Sequence, residues 1–228
     1  MSEFHNIDCM EGMKKYPDKY FDLAIVDPPY GINVANNTTG TVIRNKSDKD
    51  IFKIKDWDTN IPNTSYFEEL KRVSKNQIIW GGNYFLDILG YCKAPIIWDK
   101  LNGESMYADG EMAWTSKGLP KNLRIWKHQW CGAFKDSERK TQKIHPTQKP
   151  VALYEWLLKN YAKPGDKILD THVGSASSLI ACYNLGFEYV GFELDKDYYD
   201  LATKRIEARM NQMDLFNDFI KKEEDNGS

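Results

Sequence analysis

Long apolar runs, repeated units, low-complexity tracts and paired cysteines are all missing from this chain, and each absence removes a class of protein. No stretch approaches the roughly 18 apolar residues of a membrane-spanning helix. Met1 to Met10 lacks the basic-then-apolar pattern of a secretory signal. A cytoplasmic protein with no membrane attachment is expected. The four cysteines, Cys9, Cys92, Cys131 and Cys182, show no Cys-x-x-Cys spacing. Neither a metal site nor a disulfide framework is therefore indicated, and the thiols read as reduced. Gly-x-Gly-x-x-Gly is absent too, which removes the dinucleotide fingerprint. With 228 residues, 41% of them hydrophobic, the sequence suits one globular domain.

Net charge is also scarce, at −2, but its distribution is uneven. Between Lys117 and Lys149 nine basic residues face only Asp136 and Glu138, a local balance of +7 that leaves −9 elsewhere. Trp126, Trp130 and Phe134 interleave with these cations. A polarised surface of this kind suits a polyanion better than the overall charge suggests. The two tryptophans read equally as base-stacking groups and as apolar anchors for a small lobe.

What the chain does have is two loop motifs in a particular order. Asp27-Pro28-Pro29-Tyr30-Gly31 follows the apolar run Asp22-Leu23-Ala24-Ile25-Val26. Roughly 140 residues later, Asp170-Thr171-His172-Val173-Gly174-Ser175 follows Lys167-Ile168-Leu169. Both read as loops at the carboxyl ends of buried parallel strands, where open α/β sheets bind ligands.

The remaining pattern organises around them. A strand ending in His5–Met10 and a short helix near Met10–Lys15 precede the first motif. From Ile32 to Asn63 the chain is polar and irregular, which reads as a functional or mobile loop over 32–63. Ser65 is placed to cap a helix bearing Tyr66, Phe67, Leu70 and Val73 on one face. Apolar runs at Gln77–Trp80, Pro95–Trp98 and Met112–Trp114 are candidate strands. Helices are expected at Val151–Tyr161, Ser177–Leu185 and Lys196–Met210, with a strand at Tyr189–Phe192. Residues 1–214 form one catalytic domain in this reading. It carries a basic insertion over 117–144, and a frayed tail follows over 215–228.

At the later motif, Glu193 lies 19 residues beyond Gly174. A carboxylate at that distance from a strand–turn–helix unit suits the hydroxyls of a ribose-bearing cofactor. Asp170 is placed to accept from a cofactor ammonium, or to act as an ordinary turn aspartate. Asp8, just before a helix, is a helix cap or a contact for an adenine edge.

The earlier motif suits an amine. An exocyclic amine on an aromatic base is a weak nucleophile, because its lone pair is delocalised into the ring. Asp27 Oδ and the Pro28 carbonyl provide two acceptors that draw its hydrogens, on a backbone stiffened by Pro28 and Pro29. Tyr30 would stack on the base. Holding the reactants together can lower the barrier by roughly 7–11 kcal/mol at best.

These residues carry a family resemblance. Asp27-Pro28-Pro29-Tyr30, Gly81-Gly82-Asn83-Tyr84-Phe85, His145-Pro146-Thr147-Gln148-Lys149-Pro150, the Asp170–Ser175 turn and Val190-Gly191-Phe192-Glu193 occur in this order. The chain resembles the amino-group DNA methyltransferases that use S-adenosylmethionine, in the permuted β order with the catalytic motif first. The resemblance implies a Rossmann-like α/β fold with a doubly wound, mostly parallel sheet and one antiparallel edge strand. It implies that Asp27, Pro28, Pro29 and Tyr30 are catalytic. It places Asp8, Asp27, Thr147, Lys149, Asp170, Gly174, Ser175 and Glu193 at the cofactor, with Thr147 and Lys149 near its carboxylate. Three residues depart from the family's turn, Thr171, His172 and Ala176. His172 replaces an aromatic beside the cofactor, and Ala176 adds a methyl where glycine is usual.

Methylation of adenine N6 in double-stranded DNA, at a short recognition sequence and with base flipping, is the implied reaction. Cytosine N4 is the rival by the same mechanism, and a catalytically inactive nucleic-acid-binding module is the reading from another class. Lys121, Arg124, Lys127, Arg139 and Lys140 are the expected phosphate contacts. A homodimer and a cognate restriction nuclease are both compatible with the resemblance, and neither is readable from the residues.

Overall fold

The computed structural model describes residues 2–32, 58–103, 108–120, 122–131, 134–138, 141 and 143–226. Most of the loop expected over 32–63 lies outside the described residues, as do Lys121, Arg139 and Lys140.

Among the described residues, eight strands form one sheet. They are β1 (Glu3–Asn6), β2 (Phe21–Val26), β3 (Ser74–Trp80), β4 (Ile96–Asp99), β5 (Gly110–Thr115), β6 (Arg124–Lys127), β9 (Lys167–Asp170) and β10 (Glu188–Glu193). A separate small hairpin pairs β7 (Trp130–Cys131) with β8 (Phe134–Lys135). Across the large sheet the order is β1-β10-β9-β2-β3-β5-β4-β6.

Alternation along the central strands explains why both faces are covered. In β2, Leu23 and Ile25 join one core while Ala24 and Val26 join the other. Ile78 and Trp80 against Ile79 do the same in β3, and Ile168 against Leu169 in β9. Successive side chains of a strand point to opposite faces, so an unbroken apolar run requires helices on both sides. On the first face pack α4 (Val151–Tyr161), α5 (Ser177–Leu185) and α6 (Lys196–Asn226), through Leu153, Leu157, Leu179, Ala202 and Ile206. On the second pack α1 (Cys9–Met13), α2 (Thr64–Val73) and the short α3 (Leu86–Leu89), through Met13, Tyr66, Phe67, Leu70, Val73 and Leu89. The fold is the doubly wound, mostly parallel α/β architecture that the sequence implied.

Three details differ from the sequence reading. The antiparallel strand is β5, and it lies inside the sheet between β3 and β4, with parallel β6 outside them. The cap of α2 is Asn63, not Ser65: its side chain accepts from Tyr66 N at 3.1 Å, and Ser65 Oγ donates to that same carboxamide oxygen at 2.7 Å. The last helix continues to Asn226 through the segment expected to fray, since no Gly or Pro interrupts it before Gly227.

The topology brings the two motifs together. β2 and β9 are parallel neighbours, with Leu23 opposite Ile168 and Ala24 opposite Leu169. The loops that follow them therefore leave the same edge of the sheet side by side.

Candidate active site

The Asp27–Tyr30 loop is held from several directions. Tyr30 Oη donates to Asp27 Oδ1 within the loop itself. The buried carboxylate of Asp58 accepts from Tyr30 N at 2.7 Å and Gly31 N at 3.0 Å. The Tyr30 ring stacks on Tyr84, centroids 5.0 Å apart and planes at 17°. Gly81 lies against the other part of this ring, in the left-handed region at φ 67°, and an added Cβ there would stand 2.2 Å from Tyr30. The Gly81–Phe85 stretch thus serves as the bed on which Tyr30 lies.

Lys149 reaches this loop from just before α4. Its ammonium, 4% exposed, donates to Asp27 Oδ2 at 2.6 Å and to Tyr30 Oη at 3.2 Å. It also pairs with Glu111 Oε2 of β5 at 3.0 Å, and Lys100 pairs with Glu111 Oε1 at 2.5 Å. Two carboxylates and two ammonium groups therefore balance beside the motif. Burial raises the Asp27 carboxyl above its ordinary range, with Lys149 opposing. Burial also works against charge on Glu111, but Lys149 and Lys100 outweigh it and hold that carboxyl at about 2. The Lys149 ammonium is favoured in turn, because Asp27 and Glu111 outweigh its own loss of solvent.

The second loop is built from buried polar groups. Asp170 Oδ1 accepts from His172 N at 3.0 Å, and Ser178 Oγ donates to Oδ2. Burial lifts the Asp170 carboxyl to about 7. Glu193, at the end of β10, accepts from Gly174 N at 2.8 Å and Asp195 N at 2.9 Å. The backbone carbonyl of Ser175 accepts from Arg205 at 2.6 Å, and Arg205 also pairs with Glu138 at 2.5 Å. The ring of His145 lies 3.6 Å from where a Cβ on Gly174 would stand, and Thr147 Oγ1 is 3.1 Å from His145 Nδ1. The His145–Pro150 run therefore spans both loops, with His145 against the glycine turn and Lys149 on Asp27.

A cleft of about 240 Å³ opens beside them, lined by Cys9, Met10, Pro29, the Asn60–Asn63 segment, Tyr66 and His172. It is smaller than the roughly 300–1,000 Å³ of a drug-sized ligand site, so it suits one part of a cofactor. Asp8 acts as the N-cap of α1, accepting from Met10 N at 2.8 Å. His172 lines the cleft edge-on to Tyr66, and burial lowers its imidazole to about 4, keeping it neutral. His172 thus forms part of the cleft wall. Ala176 adopts the left-handed conformation at φ 63°, and its buried methyl sits within the core shared by Leu179 and Ile180.

The basic stretch divides in two. Arg124 and Lys127 are exposed on the outermost strand β6. The tryptophans turn inward: Trp130 is buried with its indole donating to the Gln148 carbonyl at 2.8 Å, and Trp126 packs between Trp98 and Trp156. They anchor the lobe.

Sequence reading missed Glu111, Lys100, Asp58 and the Asn60–Pro62 wall. Glu111 left one signal, an acid inside a strand whose neighbours are apolar. Asp58 and Asn60 left none, being polar residues in a polar stretch.

Comparison with known proteins agrees with this geometry. Residues 98–204 match the N6_N4_Mtase family model, described as DNA methylase. The chain is 27% identical over 252 residues to the type II methyltransferase M.HinfI of Haemophilus influenzae, covering 91% of this chain and 69% of that protein. The crystal structure of the M1.HpyAVI–SAM complex aligns with a TM-score of 0.60 at 24% identity, over 90% of this chain and all (100%) of the other. The cytosine-N4-specific PvuII DNA methyltransferase aligns with a TM-score of 0.55 at 13% identity, over 92% and 91% of the two chains. The resemblance drawn from the motifs is met in sequence pattern and in fold.

Proposed function

We infer that this chain, matched to the DNA methylases and folded like them, transfers a methyl group from S-adenosylmethionine to the N6 amine of adenine in double-stranded DNA. It acts at a short recognition sequence on a base swung out of the stack. The observation that carries this reading is the adjacency of Asp27 and Asp170, whose loops leave neighbouring parallel strands at one edge of the sheet.

The residues present fit such a cofactor. Glu193, at the end of β10 and bonded to Gly174 N, stands where a carboxylate suits ribose hydroxyls, and the apolar cleft beside Cys9, Met10 and His172 suits a flat purine. Asp170, buried and bonded among the described residues to His172 N and Ser178 Oγ, suits an ammonium group. Asp8 caps α1, and Thr147 is hydrogen-bonded to the His145 ring that faces Gly174. When bound, the cofactor supplies a methyl carbon made electrophilic by a sulfonium sulfur.

The chain's own residues prepare the amine. Asp27 Oδ and the Pro28 carbonyl accept its two hydrogens, which returns electron density to the nitrogen. Pro29 stiffens the turn, and the Tyr30 ring, fixed by Asp58 and Gly81, gives the base a flat support. As the nitrogen gains its substituent it becomes cationic, and the proton it sheds passes to Asp27, whose proton affinity burial has raised. Base flipping costs a few kcal/mol. Arg124 and Lys127, with Lys121, Arg139 and Lys140, offset that cost through phosphate contacts. Residues 1–214 act as one catalytic domain.

Cytosine N4 is the second reading, favoured by the likeness to the PvuII enzyme and by the fact that its amine fits the same two acceptors. Expression in a host that lacks DNA methylation, followed by mapping of modified bases, tests both. N6-methyladenine at one short sequence is the expected result, and N4-methylcytosine would move the assignment. Unmodified DNA, with no S-adenosylmethionine bound at millimolar concentration, would leave only a binding module.

A further inference from the structure

We propose that Glu111 is a positioning residue that takes Lys149 off Asp27 when the target amine arrives, a role that rests on the methyl-transfer reading above. An ammonium group has three donors and no acceptor. Lys149 spends two of them on Asp27 Oδ2 at 2.6 Å and Tyr30 Oη at 3.2 Å. Its third neighbour, Glu111 Oε2, stands 3.0 Å from the same nitrogen. That oxygen is buried and pairs with the ammonium at hydrogen-bond distance, but among the described residues no donor is well aligned with it. Glu111 Oε1 is meanwhile tied to Lys100 at 2.5 Å, so the carboxylate cannot turn away to find another donor. Lys149 also lies 5.7 Å from the ring of Trp80, whose buried indole Nε1 has no hydrogen-bond partner among the described residues.

A buried acceptor left unmade is costly, and here a small rotation of one flexible side chain would satisfy it. The site thus offers the same ammonium two seats. In the first it sits on Asp27 and occupies the oxygen that the amine needs. In the second it sits on Glu111, and Asp27 Oδ2 is released to accept. No charge enters or leaves the site in the exchange, so it avoids the cost of exposing a buried ion. Without Glu111, Lys149 has one carboxylate and stays on it.

Asp27 is faced by Lys149, Glu111, Tyr30, Tyr66, Tyr154 and Asp170, and its titration reports which of them bind it. The test compares wild type, E111Q, E111D, K149M and E111Q/K149M, after base mapping has supplied the substrate duplex. E111Q should lower kcat about 100-fold, with KM for cofactor and duplex within about twofold. Its Asp27 carboxyl, followed by carbon-13 resonance, should titrate at lower pH than in wild type. E111D should recover part of kcat, and adding E111Q to K149M should change kcat by less than about twofold. A folded, active E111Q with wild-type kcat, or with Asp27 titrating unchanged, would overturn the proposal. If E111Q does not fold, the wild-type Glu111 carboxyl resonance decides: it should move when the duplex is added, and an unmoved resonance refutes the exchange. A wild-type chain without turnover would sink the methyl-transfer reading itself, whereas an active wild type with an indifferent Glu111 sinks this proposal alone.

Discussion

Lys149 Nζ lies 2.6 Å from Asp27 Oδ2, although 122 residues separate the two in the chain. The ion pair is buried and is shared with Glu111, so each partner's charge depends on the others. Removing the cation differs from removing one anion, and that asymmetry can be measured.

Lys149→Met should destabilise the fold by about 3–5 kcal/mol, because it leaves Asp27 and Glu111 buried with only Lys100 between them and net negative charge. Asp27→Asn should cost much less stability, since Glu111 still neutralises Lys149, yet lower turnover about 100- to 1,000-fold. Urea unfolding and single-turnover methylation assays on the two variants separate the effects. Equal stability losses would show that the pair is not shared as described.

Cofactor affinity should rise with pH up to about 7, the value to which burial lifts Asp170. Below it the carboxyl is protonated and cannot receive an ammonium, so affinity falls by up to about tenfold per pH unit. The stability effect has the opposite slope. A carboxyl with a raised folded pKa favours the fold below its unfolded value of 3.8, and that contribution is lost as pH rises through about 7. His172 overlaps it: held to about 4, it favours the fold above 6.5 and loses that contribution as pH falls through about 4. Asp170→Asn isolates the first group. Calorimetric titration from pH 5.5 to 8.5 should show its affinity flat with pH.

Gly81→Ala should impair both folding and turnover. The left-handed conformation alone costs a non-glycine residue about 1–2 kcal/mol, and the new Cβ would meet the Tyr30 ring at 2.2 Å. Tyr30 must move, and its bond to Asp27 moves with it. Thermal melting and kcat measured on the same preparation should both fall. An active, fully stable variant would mean that Tyr30 does not depend on this bed.

Arg124→Ala and Lys127→Ala should each weaken DNA binding equally across sequences and reduce the slope of log K against log salt by about 1. Both side chains are exposed on β6, the outermost strand of the sheet. Binding titrations between low and moderate salt measure the slope. An unchanged slope in both variants would move the phosphate track elsewhere on the surface.

The parts of this site legible in the sequence are those whose physics is local. A run of alternating or continuous apolar residues ending in Asp27 or Asp170 announces a strand and the loop at its carboxyl end, and Gly174 with Glu193 announces the turn and the acid that answers it. The helix at Val151–Tyr161 was legible from the same kind of spacing, down to its ends. The position of β5 was not: an antiparallel strand is set by which neighbours it pairs with, and Met112-Ala113-Trp114 reads the same at an edge or inside a sheet.

From sequence alone came the order of the motifs, the chemistry of an acid beside two prolines and a tyrosine, and the two-faced apolar strands that demand helices on both sides. Tertiary structure decided what those groups touch. It set Lys149 on Asp27, brought Glu111 from a distant strand to the same ammonium, and closed the cleft with Asn60–Asn63 and His172. The physical reason is range: side-chain periodicity and turn chemistry act over a few residues. A buried charge is balanced by whatever the folded chain carries to within about 4 Å of it.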